Sequence, residues 1–196
     1  MKTLVIVVHP NLEQSKINKR WSEELLKHED KITVNLLYQE YPNEDINVER
    51  EQQLLLEHDR IVLQFPFYWY SAPYLLQKWE EAVLVYGWAY GPGGTKLRGK
   101  DLVLAVSTGG PSASYQAGGY NNYSMSELLK PFQNMANLIG ANYLTPFIFH
   151  GAVTATDEDI EKSATQYIKH ILDPELDPKV ALQNLLDKMK ADGTVL

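Results

Sequence analysis

The stretch IVLQFPFYWYSAP, residues 61–73, joins a short apolar run to five aromatic rings within six positions. A continuous apolar run of this length is typical of a strand that is buried on both faces of a sheet. Consecutive rings point in different directions, because neither the helical nor the strand period brings them to one face. We therefore predict a buried strand over residues 60–65, with Phe65 in the core, followed by a loop whose rings face a ligand.

Four other segments resemble this strand, and stretches of helical period separate them. The predicted strands are residues 3–8, 32–38, 60–65, 101–107 and 143–149. Alternating strands and helices form βαβ units, which build a parallel sheet with helices on both faces. The predicted fold class is therefore α/β, with a doubly wound sheet of five parallel strands.

Apolar residues at helical spacing mark the segments between the strands. Ser124 and Glu127 have the spacing of a capping box, and Pro131 then predicts a kink or two short helices. Gly140 is predicted to end one helix and Thr156 to begin the next. The apolar stripes are Ile17, Trp21 and Leu25; Leu75, Trp79, Val83 and Tyr86; Phe132, Met135, Ala136 and Ile139; and Ile160, Ala164, Tyr167, Ile168 and Ile171.

The length and composition are those of one globular domain, with 196 residues of which 44% are hydrophobic. Residues 1–175 are predicted to form that domain, and residues 176–196 are predicted to form a C-terminal helical tail. The apolar stripe of the tail consists of Leu182, Leu185, Leu186 and Met189.

Charge and cysteine content exclude several classes of protein. A net charge of -7 offers no basic surface for nucleic acid. The absence of cysteine excludes disulfides, thiolate nucleophiles and iron–sulfur clusters. The five histidines show no ligand spacing, so we predict no metal site. No segment has the length of a membrane span or the pattern of a signal peptide, which predicts a cytoplasmic protein without a transmembrane segment.

The loop after the first strand is a candidate phosphate site. Ligands of an open parallel sheet bind at the carboxyl ends of the strands, and this loop reads HPNLEQSKIN, residues 9–18. Ser15 is predicted to cap the next helix, whose free N–H groups and dipole suit a phosphate. His9 and Asn18 could add further donors. The alternative is a cap and a turn that bind nothing.

The loop after the third strand offers flat apolar walls. A planar ligand needs such walls together with backbone groups that contact its polar edge. Phe67, Tyr68 and Trp69 are predicted to contact such a ligand, and the alternative is that these rings fill the core. Ser71 is predicted to cap the following helix, with Pro73 in its first turn.

The loop after the fourth strand reads STGGPSASYQAGGYNN, residues 107–122, and is rich in small side chains. Gly109 and Gly110 allow backbone amides to approach a ligand and to stabilise negative charge that develops on a heterocycle. Tyr115 supplies a hydroxyl, and His150 follows the fifth strand. For residues 112–122 the alternative is a flexible surface loop.

Five segments, in their order along the chain, resemble those of a known family: HPNLEQSKIN, FPFYWYSAPYLLQKWEE, GGTKLRGK, STGGPSASYQAGGY and PFIFHGA. The family is that of the flavodoxin-like NAD(P)H:quinone oxidoreductases, and the resemblance covers residues 1–172. The chain is most similar to the short bacterial branch. That branch contains general-stress quinone reductases and the ancillary flavoprotein of glutathione-gated potassium efflux.

The resemblance implies a flavodoxin-like fold and a flavin cofactor, FMN rather than FAD, with NAD(P)H as co-substrate. The loop 9–18 would hold the phosphate and ribityl chain, segment 66–69 would lie along the isoalloxazine, and segment 107–110 would meet its pyrimidine edge. Tyr115 would lie over the flavin beside the substrate. The implied cofactor contacts are His9, Ser15, Lys16, Ile17, Asn18, Pro66, Phe67, Tyr68, Trp69, Ser107, Thr108, Gly109, Gly110 and Tyr115.

The chain departs from this family at one catalytic position. Better-known members carry a histidine six residues after the tyrosine, where this chain has Asn121. Asparagine can donate a hydrogen bond but takes up no proton near neutral pH, which calls a histidine relay into question. His150 is a candidate substitute, and a loop hydrogen bond is its alternative role. The candidate catalytic residues are Tyr115, Asn121 and His150.

The activity implied by the resemblance is that of an NAD(P)H dehydrogenase that reduces quinones or similar small electrophiles by two-electron hydride transfer through FMN. Family members are generally homodimers, and the aromatic surplus of this chain agrees with a partner surface. Three alternatives stay open. They are an electron carrier of the flavodoxin type, a flavin-binding regulatory subunit in peripheral contact with a potassium-efflux transporter, and a binding module without flavin.

Overall fold

The computed structural model describes residues 1–192, in which six strands and eight α-helices alternate. The strands are β1 (Thr3–Val7), β2 (Ile32–Leu36), β3 (Arg60–Pro66), β4 (Asp101–Ser107), β5 (Asn142–Tyr143) and β6 (Phe147–Phe149). The helices are α1 (Lys16–Leu25), α2 (Leu37–Glu40), α3 (Val48–Glu57), α4 (Tyr74–Val83), α5 (Met125–Leu128), α6 (Lys130–Ile139), α7 (Asp157–Ile171) and α8 (Pro178–Ala191). All strand pairs are parallel, in the order β2-β1-β3-β4, with β5 and β6 both beside β4. The predicted α/β fold is confirmed.

Strand β3 is the centre of the sheet, and all seven of its residues are buried. Val62 of β3 lies opposite Val5 of β1 on one side and Val103 of β4 on the other. Strand β2 lies on one side of β1 and β3 lies on the other. The direction in which successive strands join the sheet therefore reverses between β1 and β3. Doubly wound sheets bind their ligands at such a reversal, outside the carboxyl ends of the strands.

Helices cover both faces of the sheet. Leu4 and Ile6 of β1 belong to one buried cluster, which includes apolar side chains of α3, α4 and α6. Val5 and Val7 belong to the opposite cluster, which includes Trp21 of α1 and side chains of α7. Successive residues of a strand point to opposite faces, so an unbroken apolar run serves both clusters at once.

The predicted helix ends at Thr156, Ser124 and Gly140 are confirmed. Thr156 forms a capping box with Asp159 at the start of α7. Ser124 forms another with Glu127, and the segment after it divides into the short helices α5 and α6, with a proline in the first turn of α6. Helix α6 ends at Gly140, whose φ of 73° lies in the left-handed region that favours glycine.

Two predicted strands differ in extent from the structure. Residues 143–149 form the two short strands β5 and β6, because Pro146 has no N–H to donate and restricts the residue before it. Residues 32–38 are extended only to Leu36, where the chain turns into α2. Strand β2 lies at the edge of the sheet, so its end is held by pairing with β1 alone.

Two of the predicted apolar stripes are partly exposed in the structure. Tyr86 lies beyond α4 and is exposed, because the chain leaves the helical conformation at Leu84. In the predicted tail, Leu182 and Leu185 of α8 are exposed, and residues 193–196 lie outside the described part of the chain. Within residues 1–192, none of the helices has the length and apolar character to cross a membrane.

Helix α3 is absent from the predicted elements, because polar residues occupy most of it. It carries Glu51, a carboxylate that is fully buried between α3, α4 and β2. Its oxygens accept hydrogen bonds from Trp79 Nε1 at 2.8 Å and Tyr41 Oη at 2.7 Å. Asn35 Nδ2 donates to both oxygens, and Arg50 pairs with the charge. A buried carboxylate is tolerated only when it is paired and hydrogen-bonded in this way.

We expect Glu51→Ala to lower the free energy of unfolding by about 3–5 kcal/mol, because it leaves buried donors and a cation without their acceptor. Urea denaturation followed by circular dichroism measures this. Glu57→Ala on the same helix is the matched control, since Glu57 is exposed and, within residues 1–192, pairs only with Gln53; it should change stability by about 0.5 kcal/mol or less. Equal effects of the two substitutions would contradict the prediction.

Candidate functional site

A cleft of about 260 Å³ opens at the carboxyl ends of β1, β3 and β4. The three loops that follow these strands form its walls, together with one residue of the loop after β6. The lining residues are His9, Ser15, Lys16, Ile17, Asn18, Pro66, Phe67, Tyr68, Ser107, Thr108, Gly109 and Ala152. All of them except Ala152 are among the predicted cofactor contacts. Three predicted contacts, Trp69, Gly110 and Tyr115, lie outside this lining.

The start of α1 forms one end of the cleft. Ser15 is the N-cap, and its Oγ accepts a hydrogen bond from the backbone N–H of Asn18 at 3.1 Å. The N–H groups of Lys16 and Ile17, which also line the cleft, have no carbonyl of the helix to bind. Free N–H groups and the positive end of the helix dipole favour an anion at this end.

His9 presents a defined hydrogen-bond donor to the same end of the cleft. The backbone N–H of Asn11 donates to Nδ1 of His9 at 3.1 Å, so this nitrogen carries the lone pair. Burial lowers the pKa of His9, which favours the neutral ring with its proton on Nε2. The ring meets that of Tyr68 edge to face, with centroids 6.3 Å apart. Nε2–H is therefore the donor that His9 can offer to a ligand.

The aromatic loop after β3 contains a tight two-residue turn. Tyr68 and Ser71 exchange two backbone hydrogen bonds of 2.9 Å, and Trp69 and Tyr70 between them have φ of 50° and 62°. Such φ values cost free energy in residues other than glycine. The turn points Trp69 away from the cleft and leaves it 95% exposed. Ser71 is used in this turn, and α4 is preceded by Pro73, so the predicted Ser71 cap is wrong.

Asn121 contacts the aromatic loop that follows β3. Tyr70 Oη donates a hydrogen bond to Asn121 Oδ1 at 3.1 Å, which joins the loops after β3 and β4. The ring of Phe67 packs edge to face against both Tyr70 and Tyr115, with centroids 6.2 and 6.3 Å apart. The structure thus brings Asn121 to the aromatic wall rather than to His150.

Three backbone hydrogen bonds join the glycine loop after β4 to the loop after β6. Thr108 N–H donates to Phe149 O at 2.8 Å, Gly151 N–H to Gly110 O at 2.8 Å, and Ala152 N–H to Thr108 O at 2.9 Å. This pairing brings Ala152 to the cleft. Sequence reasoning missed Ala152 because nothing local distinguishes it from other small loop residues.

The hydrogen bonds of Thr108 indicate which ring nitrogen of His150 carries the proton. Thr108 Oγ1 donates its only proton to Gly110 O at 3.0 Å and lies 3.1 Å from Nδ1 of His150. With the Thr108 hydroxyl donating to Gly110 O, Nδ1 is assigned as the donor of the second bond, which places a proton on Nδ1 and leaves Nε2 as the titrating nitrogen. Burial lowers the pKa of His150. The rings of His150 and Tyr115 lie 5.4 Å apart at 37°.

A doubly wound parallel sheet with its cleft at the strand reversal, lined by a helix start and an aromatic loop, defines the flavodoxin-like class of fold. The profile of the flavodoxin-like fold family matches residues 1–171. The chain belongs to this family.

Two relatives agree in sequence over most of the chain. An uncharacterized NAD(P)H oxidoreductase, YdeQ, of Bacillus subtilis is 55% identical over 97% of this chain and 96% of its own length. The glutathione-regulated potassium-efflux system ancillary protein KefF of Citrobacter koseri is 40% identical over 86% of this chain and 94% of its own length. The predicted resemblance to the short bacterial branch of NAD(P)H oxidoreductases is confirmed.

Two solved structures are similar in fold and in sequence. General stress protein 14 of Treponema denticola, in complex with FMN, is 45% identical with a TM-score of 0.83, over 86% of this chain and 96% of that chain. An NADPH-quinone reductase from P. pentosaceus is 34% identical with a TM-score of 0.80, over 88% of this chain and 99% of that chain.

The strained turn provides a direct test of the geometry of the aromatic loop. We expect Trp69→Asn to raise the free energy of unfolding by about 1 kcal/mol, because asparagine tolerates the left-handed region and an exposed ring contributes little packing. Trp69→Val should lower it by about 1 kcal/mol or more, since β-branched residues are poorly tolerated at positive φ. Urea denaturation followed by circular dichroism measures both. A stabilising Trp69→Val would contradict the left-handed turn.

Proposed function

We propose that this protein is an NAD(P)H-dependent flavoenzyme that binds FMN and reduces quinones or similar small electrophiles. The observation that carries the proposal is the cleft, where an anion-binding helix start, an aromatic loop and Gly109 of the glycine loop converge. The relatives support the separate parts of the proposal. One is an NAD(P)H oxidoreductase, one was solved with FMN, and one is an NADPH-quinone reductase.

The donors of the cleft fit the chemistry of FMN. A phosphate dianion suits the free N–H groups at the start of α1, the hydroxyl of Ser15 and Nε2–H of His9. Phe67 and Tyr68 offer apolar faces for a planar ring system, and the backbone of Gly109 offers hydrogen bonds for its polar edge. When bound, FMN supplies the two-electron carrier between NAD(P)H and the electrophile.

Reduction of a quinone by NAD(P)H consumes one proton in addition to the hydride, so the site needs a proton donor. We assign this role to Nε2 of His150, because Nδ1 stays bound to Thr108 in both charge states. The hydroxyl of Tyr115, whose ring contacts that of His150, orients the substrate by a hydrogen bond. Asn121 holds Tyr70 by a hydrogen bond and takes no proton itself.

A homodimer is part of the proposal and agrees with the exposed rings near the cleft. Tyr70, Tyr120 and Tyr123 are exposed, and the Tyr70–Asn121 hydrogen bond brings their loops together; single chains seldom leave aromatic side chains grouped in this way without a partner. A second subunit would bury them and exclude water from the substrate side of the cleft.

A regulatory role in potassium efflux is the second candidate function. The similarity to KefF, an ancillary protein of such a system, is the specific observation that favours it. The two roles are compatible, because a reductase can also bind a transporter. Co-purification with a membrane transporter would support the regulatory role, and quinone turnover by the isolated protein would support the enzyme.

The proposed function is tested by the visible spectrum of the purified protein with added FMN. Under anaerobic conditions we expect NADPH or NADH to bleach the flavin bands, and menadione to restore them. This outcome requires a bound flavin, a nicotinamide site and a quinone site in one protein.

Two other outcomes of this experiment would contradict the proposal. Bound flavin that neither nicotinamide reduces would favour an electron carrier of the flavodoxin type or a sensor. If the protein binds no FMN, the aromatic loop has a purely structural role.

The assignment of His150 predicts a pH dependence of turnover. His150 donates from Nε2 only when protonated, and burial places its pKa below the ordinary 6.5. Wild-type turnover should therefore fall as the pH rises through this lowered pKa. His150→Asn keeps an N–H near the Nδ1 position but lacks Nε2, so at a pH below the lowered pKa of His150 its quinone turnover should be about 100-fold lower than that of the wild type, without the pH dependence.

The FMN dissociation constant distinguishes a catalytic role of His150 from a purely structural one. It should be the same in His150→Asn and in the wild type, because His150 lies outside the lining of the cleft. Weakened FMN binding, or an unchanged pH profile of turnover, would show that His150 only holds the loop to Thr108.

A further inference from the structure

Gln64 lies directly beneath the cleft, in the central strand β3, and is fully buried. Its Nε2 donates to the backbone carbonyl of Asn18 at 3.1 Å and lies 3.4 Å from Asn18 Oδ1 and from Ser22 Oγ. Its Oε1 is buried and has no hydrogen-bond partner within residues 1–192. A polar side chain at the centre of a sheet with one unsatisfied oxygen costs stability, so it needs a functional or structural reason.

The orientation of the Gln64 amide is fixed despite its unsatisfied oxygen. The opposite orientation would set Oε1 against the carbonyl oxygen of Asn18, acceptor against acceptor. That carbonyl also accepts from Ser22 Oγ at 2.9 Å, so its position in the first turns of α1 is held from two sides. Gln64 thus presents a donor, and only a donor, to Asn18.

The Asn18 amide transmits this orientation to the cleft. With Oδ1 facing Gln64, its Nδ2 points the other way and donates to Ser107 Oγ at 2.9 Å. Ser107 has then accepted a hydrogen bond, and its own proton has no acceptor in the part of the chain that the structure describes. Ser107 is buried and lines the cleft, so this proton is directed to a ligand.

We infer that Gln64 is a positioning residue that, through Asn18, makes the Ser107 hydroxyl a hydrogen-bond donor to the bound ligand. The inference rests on the proposed function for the identity of the ligand, which is FMN. It adds that an acceptor atom of FMN receives a hydrogen bond from the Ser107 hydroxyl. Hydrogen bonds in such a chain polarise one another, so the donor strength of Ser107 depends on Gln64 although Gln64 touches no ligand.

The test is the dissociation constant of FMN, measured by quenching of its fluorescence as it binds the apoprotein. Gln64→Met keeps the length of the side chain and removes the donor, and it should weaken FMN binding about tenfold. Ser107→Ala should weaken it by a similar factor. In the Ser107→Ala background, Gln64→Met should add about twofold or less, because the two residues act through one hydrogen bond.

A merely structural role for Gln64 gives a different pattern. It would weaken FMN binding by the same factor in both backgrounds, and this additivity would overturn the inference. Gln64→Leu also removes the donor with an apolar side chain of similar size, and it serves the same cycle if Gln64→Met does not fold. Thermal unfolding of each variant checks that the folded state is measured.

The inference and the proposed function fail in different ways. Unchanged FMN binding in Gln64→Met would overturn the inference, while reduction of the bound flavin by NADPH would leave the proposed function standing. Tight FMN binding that depends on Gln64, without reduction by NADPH or NADH, would support the inference and contradict the enzyme. A wild-type protein that binds no FMN would overturn both.

Discussion

The pairing of β3 with both β1 and β4 is the constraint on which the rest of the structure depends. This buried strand sets three carboxyl ends side by side, and strands in a sheet lie only about 4.8 Å apart. The helix start after β1, the aromatic loop after β3 and the glycine loop after β4 must therefore share one cleft. A change in strand order would separate these loops while leaving each of them locally intact.

The polar side chains buried around this sheet divide into two kinds. Glu51 is fully paired by donors from α3, α4 and β2, and it serves the fold. Gln64 and Thr108 lie at the carboxyl edge, where each orients a second side chain that faces the cleft or its rim. Their one-way hydrogen bonds fix donors and acceptors before a ligand arrives, which lowers the cost of binding. The left-handed turn at Trp69 is strained, as expected near a functional site.

Much of the fold and part of the site follow from local patterns. Unbroken apolar runs identified the central strands, and the caps at Ser15 and Thr156 identified the starts of two helices. Prediction failed where a competing effect prevailed. Pro146 divided the last strand, and the polar helix α3 gave no apolar stripe because its buried face carries Glu51. The ring of Trp69 faces solvent because the turn, and not the composition of the loop, sets its direction.

The sequence by itself determined the central strands, the apolar helices, several of their ends and the loops that carry the site, because caps and periodic stripes act over a few residues. Only the tertiary structure decided which side chains meet. The pairs Gln64–Asn18, Asn18–Ser107, Thr108–His150 and Tyr70–Asn121 are separated by 46, 89, 42 and 51 residues. The contacts in these pairs follow from the order and register of the strands, which no local pattern encodes. The direction of each hydrogen bond in the cleft therefore also depends on the tertiary structure.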